Sequence, residues 1–190
     1  MDAVKEKESL GELIRTLVYA VLLAVMFRSF AYEPFHIPSG SMKSNLLVGD
    51  YIFVSKFSYG YSRYSFPFGL PLFEGRLWAD EPERGDVIVF RKPTQPKIDY
   101  IKRLVGLPGD RVQVIGGVVH INGKEVPRKR IEDFREYDKR EEKYAAIARY
   151  QETLPEGRSY PVLDETRFGM VDNTPVYEVP EGHYFMMGDN

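Results

Sequence analysis

No cysteine occurs in the 190-residue sequence, which removes disulfides, thiolate nucleophiles and cysteine-ligated zinc together. Histidine is scarce: His36, His120 and His183 are scattered and offer no i, i+4 pair of metal ligands. A surplus of charge is missing too. The 26 Lys and Arg nearly balance the 28 Asp and Glu, for a formal net charge of -2, so the chain lacks the basic excess with which a generic nucleic-acid binder neutralises phosphates. No repeat of solenoid length is visible. A composition of 43% hydrophobic, 14% aromatic and 28% charged residues excludes a chain disordered throughout. Any chemistry must use hydroxyls, carboxylates or amines.

Long apolar runs are also few. The most hydrophobic stretch is Thr16 to Phe27, twelve residues without a charge, bounded by Arg15 and Arg28. A spanning helix needs about 20 mainly apolar residues, a length reached over 10–32 if both arginines extend to the headgroup layers. A buried core helix and a removable signal peptide are the other readings, and Ser29-Phe30-Ala31 supplies a small-x-small pattern for the latter. Arg28 argues against cleavage, because it would stand between the apolar run and the scissile site. Lys5, Lys7 and Arg15 precede the run, with Arg28 and Lys43 after it. That bias predicts a single span with a cytoplasmic N-terminus over 1–9 and the body outside the cytoplasm.

Beyond the anchor the pattern is β structure broken by turns. Residues 51–57 and 86–90 are short β-prone runs. Residues 111–115, 118–121 and 124–126, joined by Gly-Gly and Asn-Gly, predict an antiparallel meander. A further hairpin is expected to join 148–154 to 159–163 across Pro155-Glu-Gly157. Between Lys124 and Lys143 stand eight basic and seven acidic residues, a mixture that reads as a solvated face or loop rather than a nucleic-acid arm. From Phe57 to Trp78 there are eight aromatics among glycines and prolines. That composition predicts an aromatic-rich loop or hairpin, which either packs internally or rests on a bilayer interface.

Two segments carry groups suited to catalysis. In Glu33-Pro-Phe-His-Ile-Pro-Ser-Gly-Ser-Met42, Pro38 fixes the approach, and Ser39 and Ser41 place two hydroxyls on either side of Gly40. Read alone, this is ordinary turn chemistry. A serine nucleophile also requires a base. His36 is close in sequence, but Pro38 restrains the chain between them and no orienting carboxylate is evident. The alternative lies in Asp99 to Asp110, a strand running into Leu-Pro-Gly-Asp. Strand alternation puts Ile98, Tyr100, Lys102 and Leu104 on one face and Asp99, Ile101, Arg103 and Val105 on the other. A lysine serves as base only when neutral, which a desolvating site favours and a neighbouring charge such as Arg103 would assist. Bringing a lysine into the working range takes about 4 kcal/mol of differential destabilisation. The other reading of Lys102 is an edge-strand lysine that keeps its ammonium in water.

Taken together these segments resemble type I signal peptidases, membrane-bound Ser/Lys proteases that remove signal peptides from exported proteins. Ile37-Pro-Ser-Gly-Ser-Met42 with 46–51 is similar to the family's nucleophile region. Residues 100–110 are similar to its lysine region, Gly85 to Phe90 to a family strand, and Gly188-Asp-Asn190 to the opening of its last box. The resemblance implies a mostly β fold, an antiparallel catalytic body related to LexA-like self-cleaving proteins, behind an N-terminal transmembrane helix. Its parts would be the anchor at 10–32, a catalytic core at 33–110, a β-rich insert at 111–182 and a return to the core at 183–190.

Carried over by position, the resemblance implies Ser41 as nucleophile, Lys102 as general base, and Ser39 with the Ser41 N–H as oxyanion hole. It implies Phe35, Ile37, Met42 and Ile101 as walls of small apolar pockets accepting Ala-x-Ala-like sequences, and Arg103 with Asp189 as bracing residues. No metal or cofactor is implied. The expected partners are preproteins and the lipid bilayer, not nucleic acid, for a monomer in a bacterial inner membrane with its body on the periplasmic side. The family continues after Gly-Asp-Asn with a serine-containing run, so the resemblance predicts a longer parent and little activity from these 190 residues alone. LexA-like proteins share the dyad but are soluble, which does not fit 1–32. A non-enzymatic, membrane-tethered β domain of a secretion complex is the alternative function.

Overall fold

The structure is a computed structural model that describes residues 9–190 except 67–68, 70–72, 139–141 and 167–168. Its residues group into two compact units, one formed by 1–35 and 51–81, the other by 36–50 and 82–190. The predicted N-terminal tail up to Glu8, and Phe68 of the aromatic stretch, lie outside the described residues.

The first unit begins with helix α1 (Leu10–Phe30). Ser9 caps it reciprocally with Glu12, each side chain accepting the other's backbone N–H at 3.2 Å. Its 21 residues rise about 32 Å at 1.5 Å each, enough for a hydrocarbon core of about 30 Å. Apolar side chains are exposed all around it, the pattern of a helix made for lipid. The predicted anchor reached Tyr32, but the helix stops at Phe30. Ala31 N–H closes the last turn on the Phe27 carbonyl at 2.8 Å. Glu33 then pairs with Arg28 and Lys56, drawing the chain into strand β1 (Tyr32–His36). This strand forms a two-stranded sheet with β2 (Tyr51–Ser55).

The predicted aromatic segment folds back on the helix end. A bridge joins Tyr61 to Leu77, and Phe30 meets Tyr61 and Phe66 edge-on with ring centroids 5.7 and 5.5 Å apart. Trp78, 81% exposed, projects from this cluster, so packing and an exposed aromatic face coexist.

In the second unit β3 (Val87–Lys92) pairs antiparallel with the long strand β4 (Gln95–Gly106). The predicted meander is present as β5 (Arg111–Ile115), β6 (Val118–Ile121) and β7 (Lys124–Glu125). Its turns have positive φ at both central residues, Gly116 and Gly117 at 56° and 75°, Asn122 and Gly123 at 54° and 77°, the type I′ geometry that glycine and asparagine tolerate. The described residues of the charge-rich segment are largely strand rather than loop. It contributes β8 (Arg128–Arg130) and β9 (Phe134–Asp138), both antiparallel to β10 (Lys143–Thr153). Charged residues hide the alternation there, but Arg128 and Arg130 lay their guanidinium groups on the Tyr150 ring, 4.4 and 5.1 Å from its centroid. The predicted hairpin joins β10 to β11 (Ser159–Asp164), with Thr153 opposite Ser159. Strand β12 (Tyr177–Glu178) pairs with β5, and β13 (Phe185–Met187) returns to pair with β4.

Val105, Val112, Ile121 and Leu154 are among the buried residues that join these sheets into one core. Beside it the turn ending β4 is fixed by Asp110, whose carboxylate accepts from Arg84 Nη1, Leu107 N–H and Asn122 Nδ2, each at 2.7 Å. Burial alone would raise this carboxyl; the bonds from Arg84, Asn122 and Leu107 outweigh it and hold it below the ordinary aspartate range. A depressed folded-state value stabilises the fold above the unfolded value of about 3.9, and that contribution is lost as pH falls through the folded value. Asp110→Asn should therefore cost about 1–3 kcal/mol at pH 7, the usual cost of losing a hydrogen bond to a charged group, because Arg84 keeps its second anion, Glu156, at 2.8 Å. The difference from wild type in denaturant midpoint should shrink as the pH is lowered below that of ordinary carboxylates.

Candidate functional site

Ser41 belongs to a turn rather than a regular element. Ile37 N–H bonds to the Asp50 carbonyl and Gly49 N–H to the Ile37 carbonyl, both at 2.9 Å, pinching the ends of this excursion together. Inside it, Lys43 N–H reaches the Gly40 carbonyl at 2.9 Å and Leu46 N–H the Met42 carbonyl at 2.8 Å. The Ser39 and Ser41 hydroxyl oxygens stand 3.4 Å apart. Lys102 lies on β4 opposite Ile88 of β3, and its Nζ donates a hydrogen bond to Ser41 Oγ. The fold thus brings together two hydroxyls and an amine that are 61 residues apart in the chain between Ser41 and Lys102. His36 lies at the end of β1.

The Lys102 amine is held below the ordinary lysine range. Burial lowers it by penalising the ammonium, and the negative charge of Asp189 partly offsets this. The expected assistance from Arg103 is corrected by the pairing. The Arg103 side chain, 7% exposed, donates Nε and Nη2 to the two Asp189 carboxylate oxygens at 2.8 and 2.7 Å. Its charge is balanced there, and desolvation of Lys102 accounts for the downward shift. Arg103 also donates Nη1 to the Gly85 carbonyl at 2.8 Å and rests on Tyr160, 3.9 Å from the ring centroid.

The four residues expected as pocket walls are differently placed. Ile101 is half-buried on the opposite face of β4 from Lys102. Ile37 and Met42 are buried in the second unit, 2% and 0% exposed. Phe35 lies half-buried on β1 in the first unit. One feature carried no motif in the sequence. Asn45 Nδ2 donates to Asp189 at 2.7 Å and to the Pro161 carbonyl at 2.9 Å, spanning 144 and 116 residues respectively. A polar residue in a turn gives no sign of such distant partners. Gly188 lies against the Ser41 backbone, where a Cβ would stand 2.3 Å from the Ser41 carbonyl oxygen.

A cavity of about 740 Å³ lies beside the site, lined by Val112, Val162, Phe185, Glu152 and Asp189 among others, but by neither Ser41 nor Lys102. Buried Glu152 accepts a hydrogen bond from Tyr160 Oη at 3.1 Å, and burial raises its carboxyl.

A hydroxyl in contact with a partly desolvated amine can be deprotonated as it attacks a carbonyl, and a second hydroxyl close by can donate to the oxyanion that forms. Comparison with known proteins gives the family of the chain. A family model described as "Signal peptidase, peptidase S26" matches residues 10–190. A protein named signal peptidase I from Rickettsia canadensis is 44% identical over 187 residues, covering 93% of this chain and 68% of the relative. Its namesakes from Rickettsia typhi and Rickettsia akari are 42% and 45% identical, covering 100% and 90% of this chain and 73% and 66% of their own lengths.

Gly188→Ala tests how tightly this site is assembled. It should destabilise the protein by about 1–3 kcal/mol, the usual cost of overpacking. A crystal structure of the variant should show the Ser41 carbonyl displaced.

Proposed function

From the premise that this chain belongs to the signal peptidase S26 family, we propose that it removes signal peptides from preproteins with Ser41 as nucleophile and Lys102 as general base. Family membership makes the protein a hydrolase of the serine endopeptidase class. The observation that carries the residue assignment is the hydrogen bond from Lys102 Nζ to Ser41 Oγ, made by an amine whose burial favours its neutral form.

In the proposed reaction neutral Lys102 takes the Ser41 hydroxyl proton as Oγ bonds to the scissile carbonyl carbon. The resulting oxyanion is held by the Ser41 N–H and the Ser39 hydroxyl. Collapse breaks the C–N bond, the leaving amine takes the proton from Lys102, and an acyl-enzyme remains. Lys102, neutral again, removes a proton from water, whose attack releases the signal peptide and restores Ser41. Arg103 and Asp189 act as positioning residues. Ile37, Met42 and Ile101 of the second unit remain the proposed apolar walls. Small residues flanking the cleavage site would be selected by exclusion of larger ones.

The apolar helix α1 anchors the protein in a membrane. The proposed arrangement is a single pass in a bacterial inner membrane, with the N-terminus cytoplasmic and the monomeric body on the periplasmic side. Lipid and preprotein are its partners, and the cation bias before the helix supports this orientation.

The test is cleavage of a preprotein by the full-length protein in detergent. Ser41→Ala and Lys102→Ala should each abolish turnover. Lys102→Arg, which keeps the charge but cannot lose its proton, should be as inactive as the alanine variant. Because the base must be neutral, wild-type kcat/KM should fall as pH is lowered through an apparent pKa below the ordinary lysine value. Retained cleavage by Lys102→Arg, or a rate independent of pH in that range, would remove Lys102 from the mechanism.

A further inference from the structure

The turn that carries Ser41 is held by a few backbone hydrogen bonds rather than a regular ladder, so side chains that reach it from elsewhere add to its fixing. One lies immediately beside the two hydroxyls. The Lys43 stem runs across Gly40, the residue separating Ser39 from Ser41, so closely that a Cβ at Gly40 would stand 2.7 Å from Lys43 Cε. The side chain is only 14% exposed, which an ammonium accepts when its charge and hydrogen bonds are met. They are met by Glu136 of β9, whose two carboxylate oxygens accept from Lys43 Nζ at 2.7 and 2.6 Å across 93 residues of chain. Glu136 is itself held in register on the β9–β10 hairpin, opposite Ala145.

We propose that Lys43 and Glu136 are positioning residues, an ion pair through which the β9–β10 hairpin clamps the Ser41 turn and keeps both hydroxyls aligned with Lys102. The inference rests on the peptidase reading above and adds to it a part for the charge-rich segment. Without Glu136 the ammonium turns toward water, its stem leaves Gly40, and the turn gains freedom next to the reacting oxygen. Reaction rates are steep in such displacements, with about 1 Å of misplacement costing up to about 10²-fold. The pair touches neither reacting hydroxyl, so its loss falls on turnover rather than on substrate affinity.

Preprotein cleavage by full-length wild type, Glu136→Gln, Lys43→Met and the double variant tests this. Each single variant should lower kcat about tenfold, within the range that misplacement allows, and leave KM within about twofold. The double variant should be no slower than either single, because the pair acts as a unit. Equal kcat in wild type and both single variants would overturn the clamp, as would a loss confined to KM or losses that multiply in the double variant. Glu136→Gln alters a carboxylate 39% exposed and carries the comparison if Lys43→Met fails to fold. If wild type cleaves no preprotein, or Ser41→Ala cleaves equally well, the peptidase reading fails and this inference with it. Ser41-dependent cleavage with unchanged kcat in the variants sinks the clamp alone.

Discussion

Neighbouring residues of a β-strand point to opposite faces, and the site depends on that rule acting on two adjacent cations of β4. Lys102 turns toward the Ser41 hydroxyl, where a partly desolvated amine can lose its charge. Arg103 turns inward, where it must keep its charge and therefore needs an anion. Asp189 supplies that anion with both carboxylate oxygens. Had the two cations been exchanged, arginine would face the hydroxyl and never deprotonate, while the lysine would meet a carboxylate with a point charge instead of a planar fork.

The Arg103 and Asp189 pair does more than neutralise a buried charge. Asp189 also accepts from Asn45, so the same carboxylate joins the strand that bears Lys102 to the turn that bears Ser41. Its backbone carbonyl accepts from Leu163 N–H at 2.8 Å, which ties both to β11. The negative charge that performs this bracing also opposes deprotonation of Lys102. Pairing it tightly with Arg103 limits that cost, because Lys102 then faces a nearly neutral pair rather than an isolated carboxylate.

Much of this was legible in the sequence where the information is local. The alternation of residues 98–105 separated Lys102 from Arg103 by face, and Gly-Gly and Asn-Gly marked turns whose positive φ values require those residues. The motif resemblance named the serine and lysine that the fold brings into contact. What was not legible is long-range or masked by charge. β8 and β9 lack the alternating apolar pattern because they are rich in charged residues, which stack on Tyr150 or pair with Lys43, and their order comes from pairing with β10. Asn45, Glu136 and Gly188 matter only through partners that no spacing rule connects. The apolar character of Ile37 and Met42 shows in their burial within the second unit.

Three chain segments meet at the site: the turn at 40–46, the middle of β4, and residues 188–190. Contacts within any one of them cannot form it. Gly188 reaches the Ser41 carbonyl only because it lacks a side chain, and β13 brings it there by pairing with β4. This environment of Lys102 therefore forms only as β13 joins β4 and Asp189 meets Arg103. An amine exposed before that point stays an ordinary cation. In the proposed mechanism the base accordingly acquires its working state as a property of the folded second unit, not of the strand that carries it.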